Sequence, residues 1–299
     1  MSDGAADDRA APAVGVVGLG TIGSRLARVL SASFDVVGFD VDEAAADRLD
    51  CVEGCDAAVA VGRRADVVLL SLPGDDALGA ATEGEDGVVA GLGPGDVLVD
   101  TSTVSPGASA RAARAAHEAG ADFLDAPVSG GARNAETGDL TVLVGGDADV
   151  LARVRPVLDA VARTVHRVGP LGAGATLKLV NNYLFALNQL ALAEGLTMAR
   201  AAGVDDETFA ETVAESSGGS YALDRNMERF VIPDDYDSEF TLDLMAKDAR
   251  LAERFAAERE TPLLLGGASG LYEAAAALGH GDLDASAVLK LYERLTARE

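Results

Sequence analysis

Lysine occurs only three times in these 299 residues, as Lys178, Lys247 and Lys290, against 21 arginines and 49 acidic side chains. Arginine stays protonated at neutral pH, whereas a lysine amine can be tuned by its surroundings to give or take a proton. The few lysines kept here are therefore candidates for proton chemistry. Lys178 lies in GPLGAGATLKLVNN, four residues before Asn182. On a helix that spacing puts both side chains on one face, a turn apart, with Asn181 close to the same face. The amine can move a proton to or from a substrate oxygen while the amide hydrogen-bonds and orients the same molecule. Lys247 lies in FTLDLMAKDARLA beside Asp248. Partial burial lowers the pKa expected for the Lys178 amine, and a second cation brought close to it by the fold would lower it further. Asp248 is expected to anchor its helix rather than react, and Phe240 to pack. Lys290, in VLKLYERL, has no such company and is expected to be a surface charge that arginine replaces at little cost.

A second constellation stands near the N-terminus. VGVVGLGTIGSRLARVL sets Gly18, Gly20 and Gly23 in G-x-G-x-x-G between a strand-like run and a helical one. Gly18 permits a tight turn, Gly20 lets backbone approach a pyrophosphate, and Gly23 packs helix against strand. Thr21 and Ile22 complete the loop, and phosphates would sit at the positive helix N-terminus. Asp40 ends the next strand about 20 residues on, where it can accept hydrogen bonds from ribose hydroxyls and repel a 2′-phosphate. The expected cofactor is NAD, with NADP disfavoured by Asp40. A third group, Ser129, Gly130 and Gly131, follows Pro127 and opens a helical pattern. A hydroxyl beside free backbone N–H groups suits a substrate carboxylate.

The elements that must position these residues alternate. AVGVVG, DVVGFD, DVVLLSLP, DVLVDTS, DFLDAPVS and LTVLVGG read as strands, separated by helical runs such as SRLARVL, DEAAADRL, SPGASARAARAAHEAG and DADVLARVRPVLDAVA. Regular alternation predicts a parallel sheet of seven or eight strands with helices on both faces. After GPLGAG nearly everything reads as helix, over 175–202, 205–217, 240–259, 263–278 and 284–298. The expected fold is a Rossmann-type doubly wound α/β domain over 13–170, then a long helix leading into an all-α domain over 171–299. An acidic leader occupies 1–12.

Composition narrows the partners. The net charge of −25 would repel DNA or RNA. No run of about 18 apolar residues free of charge or Gly/Pro appears, and the N-terminus lacks the basic and apolar regions of a signal peptide. A soluble, cytoplasmic protein is expected, with no membrane partner. Acidic, alanine-rich and lysine-poor together suggest adaptation to high salt, where screening relieves repulsion between dense carboxylates. Cys51 and Cys55 form C-x3-C without the four ligands of a zinc site and are expected to be buried free thiols. His117, His166 and His280 are scattered, and no metal is expected.

Over residues 13–298 the chain resembles the β-hydroxyacid dehydrogenase family. GLGTIGSRLA is similar to the family's cofactor loop, with Ile22 where methionine is usual. SLPGDDAL (71–78) and DTSTVSP (100–106) resemble its two later cofactor-side loops, which implies that Leu72, Pro73 and Thr103 line the cofactor. DAPVSGGARNAETGDLTVLVGG (125–146) resembles its substrate motif, with Asn134 where glycine is usual. Asparagine tolerates positive φ, so the backbone is expected to survive that change. GAGATLKLVNN (172–182) matches its catalytic motif and favours Asn182 over Asn181 as the substrate contact. FTLDLMAKDARLA matches its C-terminal signature and implies that Lys247 lies at the nicotinamide side. The resemblance implies hydride transfer between nicotinamide and a small, carboxylate-bearing β-hydroxyacid or semialdehyde, such as 3-hydroxyisobutyrate or tartronate semialdehyde, with Lys178 as general acid and base. It also implies a homodimer or homotetramer built on the helical domains. Imine reductases share the fold but commonly replace the lysine with aspartate or tyrosine. 6-Phosphogluconate dehydrogenases share the lysine–asparagine helix but have a longer helical domain. Non-catalytic NAD-binding relatives tend to lose the lysine.

Overall fold

The structure, a computed structural model, describes residues 12–237, 240–263 and 266–296. Apart from Pro12, the expected leader lies outside the described residues. The chain divides into two compact units between Ala175 and Thr176.

In the first unit the order is β1 (Val14–Val17), α1 (Gly23–Leu30), β2 (Val36–Phe39), α2 (Ala44–Asp47), β3 (Glu53–Gly54), α3 (Ala58–Gly62), β4 (Val67–Leu70) and α4 (Asp75–Thr82). A 3₁₀ turn at Val88–Gly91 leads to β5 (Val97–Asp100), α5 (Pro106–Glu118), β6 (Asp122–Asp125), β7 (Val128–Ser129), α6 (Gly131–Thr137), β8 (Leu140–Gly145), α7 (Ala148–Val161) and β9 (Ala162–Gly169). The sheet runs β3-β2-β1-β4-β5-β6-β8-β7, with β9 also paired to β8. Its central strands are buried on both sides, and their alternate residues feed two cores. Val14, Val16, Val67, Leu69, Val97 and Val99 pack with Leu26, Leu30, Val154 and Leu158 on one face. Val17, Val68, Leu70 and Leu98 pack with Val61, Ala112 and Ala116 on the other. This two-sided burial is why these strands read as continuous apolar runs.

Helix starts follow local chemistry. Ser105 accepts the Ala108 N–H at 3.1 Å with Pro106 in the first turn of α5, and Asp147 accepts the Asp149 N–H at 2.7 Å ahead of α7.

Two sheet expectations need correction. The described sheet has nine strands, and it is mixed, because β8 runs antiparallel to β6 and β7. DFLDAPVS is not one strand but β6 and β7, broken at Ala126–Pro127, where proline offers no N–H to a ladder. The sequence reading missed β9, ARTVHRVG, whose polar residues hide the apolar signal of an outer strand.

The second unit begins within α8 (Ala173–Ala201), whose first residues belong to the first unit. α9 (Asp206–Ala214), α10 (Tyr221–Asn226), a π turn at Met227–Val231, α11 (Leu242–Glu258), α12 (Ala268–Ala275) and a π turn at Ala276–His280 follow. A 3₁₀ turn at Ala285–Val288 then leads into α13 (Leu289–Thr296). The core is built on Leu179, Tyr183, Leu190 and Leu196 from α8, Met245 from α11 and Tyr272 from α12. Phe240 packs against it as expected. The helices expected over 263–278 and 284–298 are shorter; parts of both ranges, residues 264–265 and 297–298, lie outside the described residues. α10 was not anticipated: Ser220 caps it after the glycine-rich SSGG, which reads as a loop.

Candidate active site

The glycine loop joins β1 to α1. Gly18 has φ +91°, and a Cβ there would strike the Ser71 carbonyl oxygen; a Cβ on Gly23 would strike the Gly18 carbonyl oxygen. Both positions therefore require glycine for close packing. Gly20 differs, since nothing lies within 4 Å of where its Cβ would be. That open backbone, beside a helix start with no side-chain cap at Ile22, is a cradle an anion can enter. Thr21 is exposed and Ile22 half-buried.

Asp40, just beyond β2, accepts the Leu19 N–H at 2.6 Å through Oδ2 and the Asp42 N–H at 2.9 Å through Oδ1. It is thus not one more solvated surface acid. The carboxylate fastens the glycine loop to the end of β2 and keeps lone pairs for further donors. Asp42 by contrast is exposed and pairs with Arg48. Leu72 is half-buried and its N–H donates to Ser102 Oγ at 2.9 Å; Pro73 is exposed and Thr103 half-buried. The donor set and the open cradle fit a dinucleotide.

Ser129 ends β7 opposite Thr141 of β8 and is half-buried. Gly130 and Gly131 are exposed with φ +132° and +72°, conformations that L side chains rarely adopt. Asn134 does not use the positive φ suggested for it. It sits inside α6, its carbonyl accepting the Asp139 N–H at 2.8 Å, and its side chain crowds the place a Cβ on Gly130 would take. Glycine at 130 is thereby matched to asparagine at 134.

In the second unit Lys178 and Asn182 lie one turn apart on α8, 8% and 5% exposed. Burial pushes the Lys178 amine down to about 8; Asp248 opposes that shift and Lys247 adds to it. Asn182 donates its amide to Asp248 Oδ2 at 2.6 Å, and Asn181 donates to Asn182 Oδ1 at 3.1 Å. Lys247 Nζ stands 2.9 Å from Asp248 Oδ1, off the line of a hydrogen bond, so that buried oxygen has no aligned donor. Asp248, 2% exposed, is therefore the centre of the cluster and more than a helix anchor. Its signal was present in the sequence, since 247 and 248 are adjacent, but which face of α11 meets α8 is decided by packing.

A further missed residue is Asp125 at the end of β6. It accepts the Gly172 and Ala175 N–H groups, each at 2.8 Å, and so caps the helix that carries Lys178. Burial holds its carboxyl above the usual range against those donors. Gly145 and Gly174 make room for it, because a Cβ on either would collide with Asp125 atoms.

Two smaller expectations change. Cys51 is exposed and Cys55 half-buried, so the thiols are free but neither is buried as expected. Lys290 is not a bare surface charge: it pairs with Asp234 at 3.0 Å and sits 4.4 Å from the centre of the Tyr236 ring. Among the described residues no histidine, cysteine or acid cluster suits a metal, and no helix is long and apolar enough to cross a membrane.

A glycine-loop α/β unit followed by a helical unit with a buried lysine of lowered pKa defines a nicotinamide-dependent dehydrogenase. A family model described as the NAD binding domain of 6-phosphogluconate dehydrogenase matches residues 13–169, and one described as NAD-binding of NADP-dependent 3-hydroxyisobutyrate dehydrogenase matches 172–292. The chain is 37% identical to 2-(hydroxymethyl)glutarate dehydrogenase of Eubacterium barkeri over 95% of both chains. It is 34% identical to an NAD-dependent L-serine dehydrogenase of Pseudomonas aeruginosa over 94% of this chain and 97% of that one. The solved 3-hydroxyisobutyrate dehydrogenase of Mycobacterium tuberculosis with L-serine superposes with TM-score 0.87 at 30% identity, covering 96% of this chain and all of that one. The chain belongs to the β-hydroxyacid dehydrogenase family, and it is an oxidoreductase acting on a CH–OH group. An imine reductase from Myxococcus stipitatus, at 19% identity and TM-score 0.64, shares the fold alone.

Proposed function

We propose that this dehydrogenase acts on a small carboxylate bearing a hydroxyl on the β carbon, prefers NAD, and uses Lys178 to move the hydroxyl proton. The observation that carries the reading is the buried Lys178 amine, pushed down to about 8, so that both its protonation states are accessible near neutrality. A nicotinamide, when bound, takes or gives the hydride on the carbon that bears the hydroxyl. In oxidation the neutral Lys178 amine removes the hydroxyl proton and becomes an ammonium; in reduction the ammonium returns it to the oxygen. Asn182, oriented by its bond to Asp248, hydrogen-bonds the substrate. Ser129 and the backbone of Gly130 and Gly131 receive the carboxylate.

Gly18, Gly20, Thr21, Ile22 and Gly23 would hold the pyrophosphate, and Leu72, Pro73, Thr103 and Lys247 would line the cofactor. Asp40 supports NAD, since its carboxylate can accept from ribose hydroxyls and repels a 2′-phosphate. The named substrates of the relatives, 2-(hydroxymethyl)glutarate, L-serine and 3-hydroxyisobutyrate, share a hydroxyl β to a carboxylate. Helix α8 leaves Leu177, Val180, Leu184 and Met198 exposed at helical spacing, which supports self-association as a dimer or tetramer. The net charge of −25 supports neither nucleic acid nor an anionic membrane as partner and suits a cytoplasm rich in salt.

Absorbance at 340 nm with 3-hydroxyisobutyrate, L-serine, L-threonate, glycerate, 2-(hydroxymethyl)glutarate, tartronate semialdehyde and a cyclic imine tests the reading. Turnover of one β-hydroxyacid or semialdehyde is expected, with NAD(H) favoured over NADP(H) in kcat/KM. Turnover of the imine alone would replace this reading with imine reduction.

A further inference from the structure

Asp100 closes β5 with a side chain 1% exposed. Its Oδ1 accepts the Ser102 N–H at 3.0 Å, and Ser102 Oγ in turn accepts the Leu72 N–H at 2.9 Å. The neighbouring Thr101 sends its N–H and its hydroxyl to the Leu70 carbonyl, at 2.9 Å and 2.6 Å. The segments leaving β4 and β5 are thus fastened to each other through Ser102, which one carboxyl holds, and further along through Ser105, whose N–H and hydroxyl donate to Asp75 at 2.8 Å and 2.5 Å. Asp100 Oδ2 is buried with no donor. Burial, against the Ser102 contacts, pushes the carboxyl up to about 7, with Asp125 and Asp75 adding to the rise. A carboxyl so placed costs stability, and what it supplies is the geometry of the two loops.

We propose that Asp100 is a positioning residue for the coenzyme side of the first unit, holding Ser102 and, through it, the Leu72–Pro73 loop in the arrangement that receives a nicotinamide coenzyme. The inference rests on the cofactor reading of Leu72, Pro73 and Thr103. Asp100 itself touches no reacting atom. Its effect falls on coenzyme affinity and leaves the proton transfer at Lys178 unchanged.

Fluorescence titration with NADH and with NADPH, alongside kcat at saturating coenzyme, tests this. Wild-type protein that binds neither coenzyme overturns the cofactor reading itself. If wild type binds, Asp100→Ala is expected to raise the coenzyme Kd about tenfold or more while kcat stays within about threefold. Asp100→Asn, whose amide oxygen can still accept the Ser102 N–H, is expected to recover most of the affinity. Ser102→Ala removes the Leu72 acceptor without touching Asp100 and should raise the Kd in the same way, which covers an Asp100→Ala protein that does not fold. Unchanged affinity in folded Ser102→Ala or Asp100→Ala overturns the inference. So does a parallel loss of kcat, affinity and melting temperature in Asp100→Asn, which would mark a merely structural role.

Discussion

Asn182 gives its side-chain amide to the buried carboxylate of Asp248 at 2.6 Å, across 66 residues of sequence, and Lys247 stands at the other oxygen of the same carboxylate. One acid therefore orients the amide on α8, pairs a cation on α11 and holds up the proton affinity of Lys178. In Asp248→Asn the charge that raises the Lys178 pKa is gone while burial and Lys247 still lower it. The pH midpoint for oxidation should therefore fall below about 8, and kcat/KM should drop about tenfold or more. A midpoint that stays or rises would show that Asp248 does not act on Lys178.

Lys178→Ala should lower kcat about 100-fold or more and leave NADH binding nearly intact. In the wild type, oxidation needs the neutral amine, so its rate should climb as pH rises through about 8; reduction needs the ammonium and should decline over the same range. Opposite pH trends for the two directions in stopped-flow traces are the signature sought. Near-normal turnover in the alanine variant removes the mechanism.

Asp40→Ala should do two things at once, because the carboxylate both meets the Leu19 N–H and carries charge. The preference for NADH over NADPH in kcat/KM should shrink about tenfold or more, and affinity for either coenzyme should weaken as the glycine loop loses its tie to β2. An unchanged NADH to NADPH ratio would remove Asp40 as the discriminating residue.

High salt should stabilise the fold. With 49 acidic side chains against 24 basic ones, self-repulsion is strong in dilute buffer and is screened over roughly 3 Å at 1 M salt. Melting temperature should climb from about 0.1 to about 3 M KCl. A flat profile sinks the proposal of salt adaptation.

Asp100 should make stability fall as pH rises. Burial pushes its folded carboxyl up to about 7 while the unfolded one keeps the ordinary carboxyl value of 3.8, so between those values the unfolded chain releases a proton that the folded one keeps. The cost is absent below about pH 4 and complete above about 7, at most on the order of 4 kcal/mol. Asp100→Asn cannot titrate, so its stability relative to wild type in urea melts should improve from pH 5 to pH 8. A difference independent of pH would count against the shift.

Much of this was legible in the sequence. The glycine spacing, Asp40 after the second strand, and the lysine–asparagine step on one helix face are local patterns, and each maps to a fixed geometry within a few residues. The alternating strand and helix runs likewise define the α/β unit, because burial on both faces leaves a continuous apolar signature in β1, β4 and β5. The polar outer strand β9 and the capped α10 left no such signature, and Asn134 needs no positive φ because Gly130 and Gly131, the N-cap and first residue of its helix, adopt it instead.

The sequence alone determined that Lys178 and Asn182 share a face, since helical periodicity requires it. Only the tertiary structure decided what surrounds them. Burial to 8% exposure, the approach of Asp248 and Lys247 from a helix some 70 residues away, and the capping of α8 by Asp125 are all products of packing. Desolvation and long-range charge, the two forces that bring a lysine amine to about 8, depend on distances that no local spacing encodes.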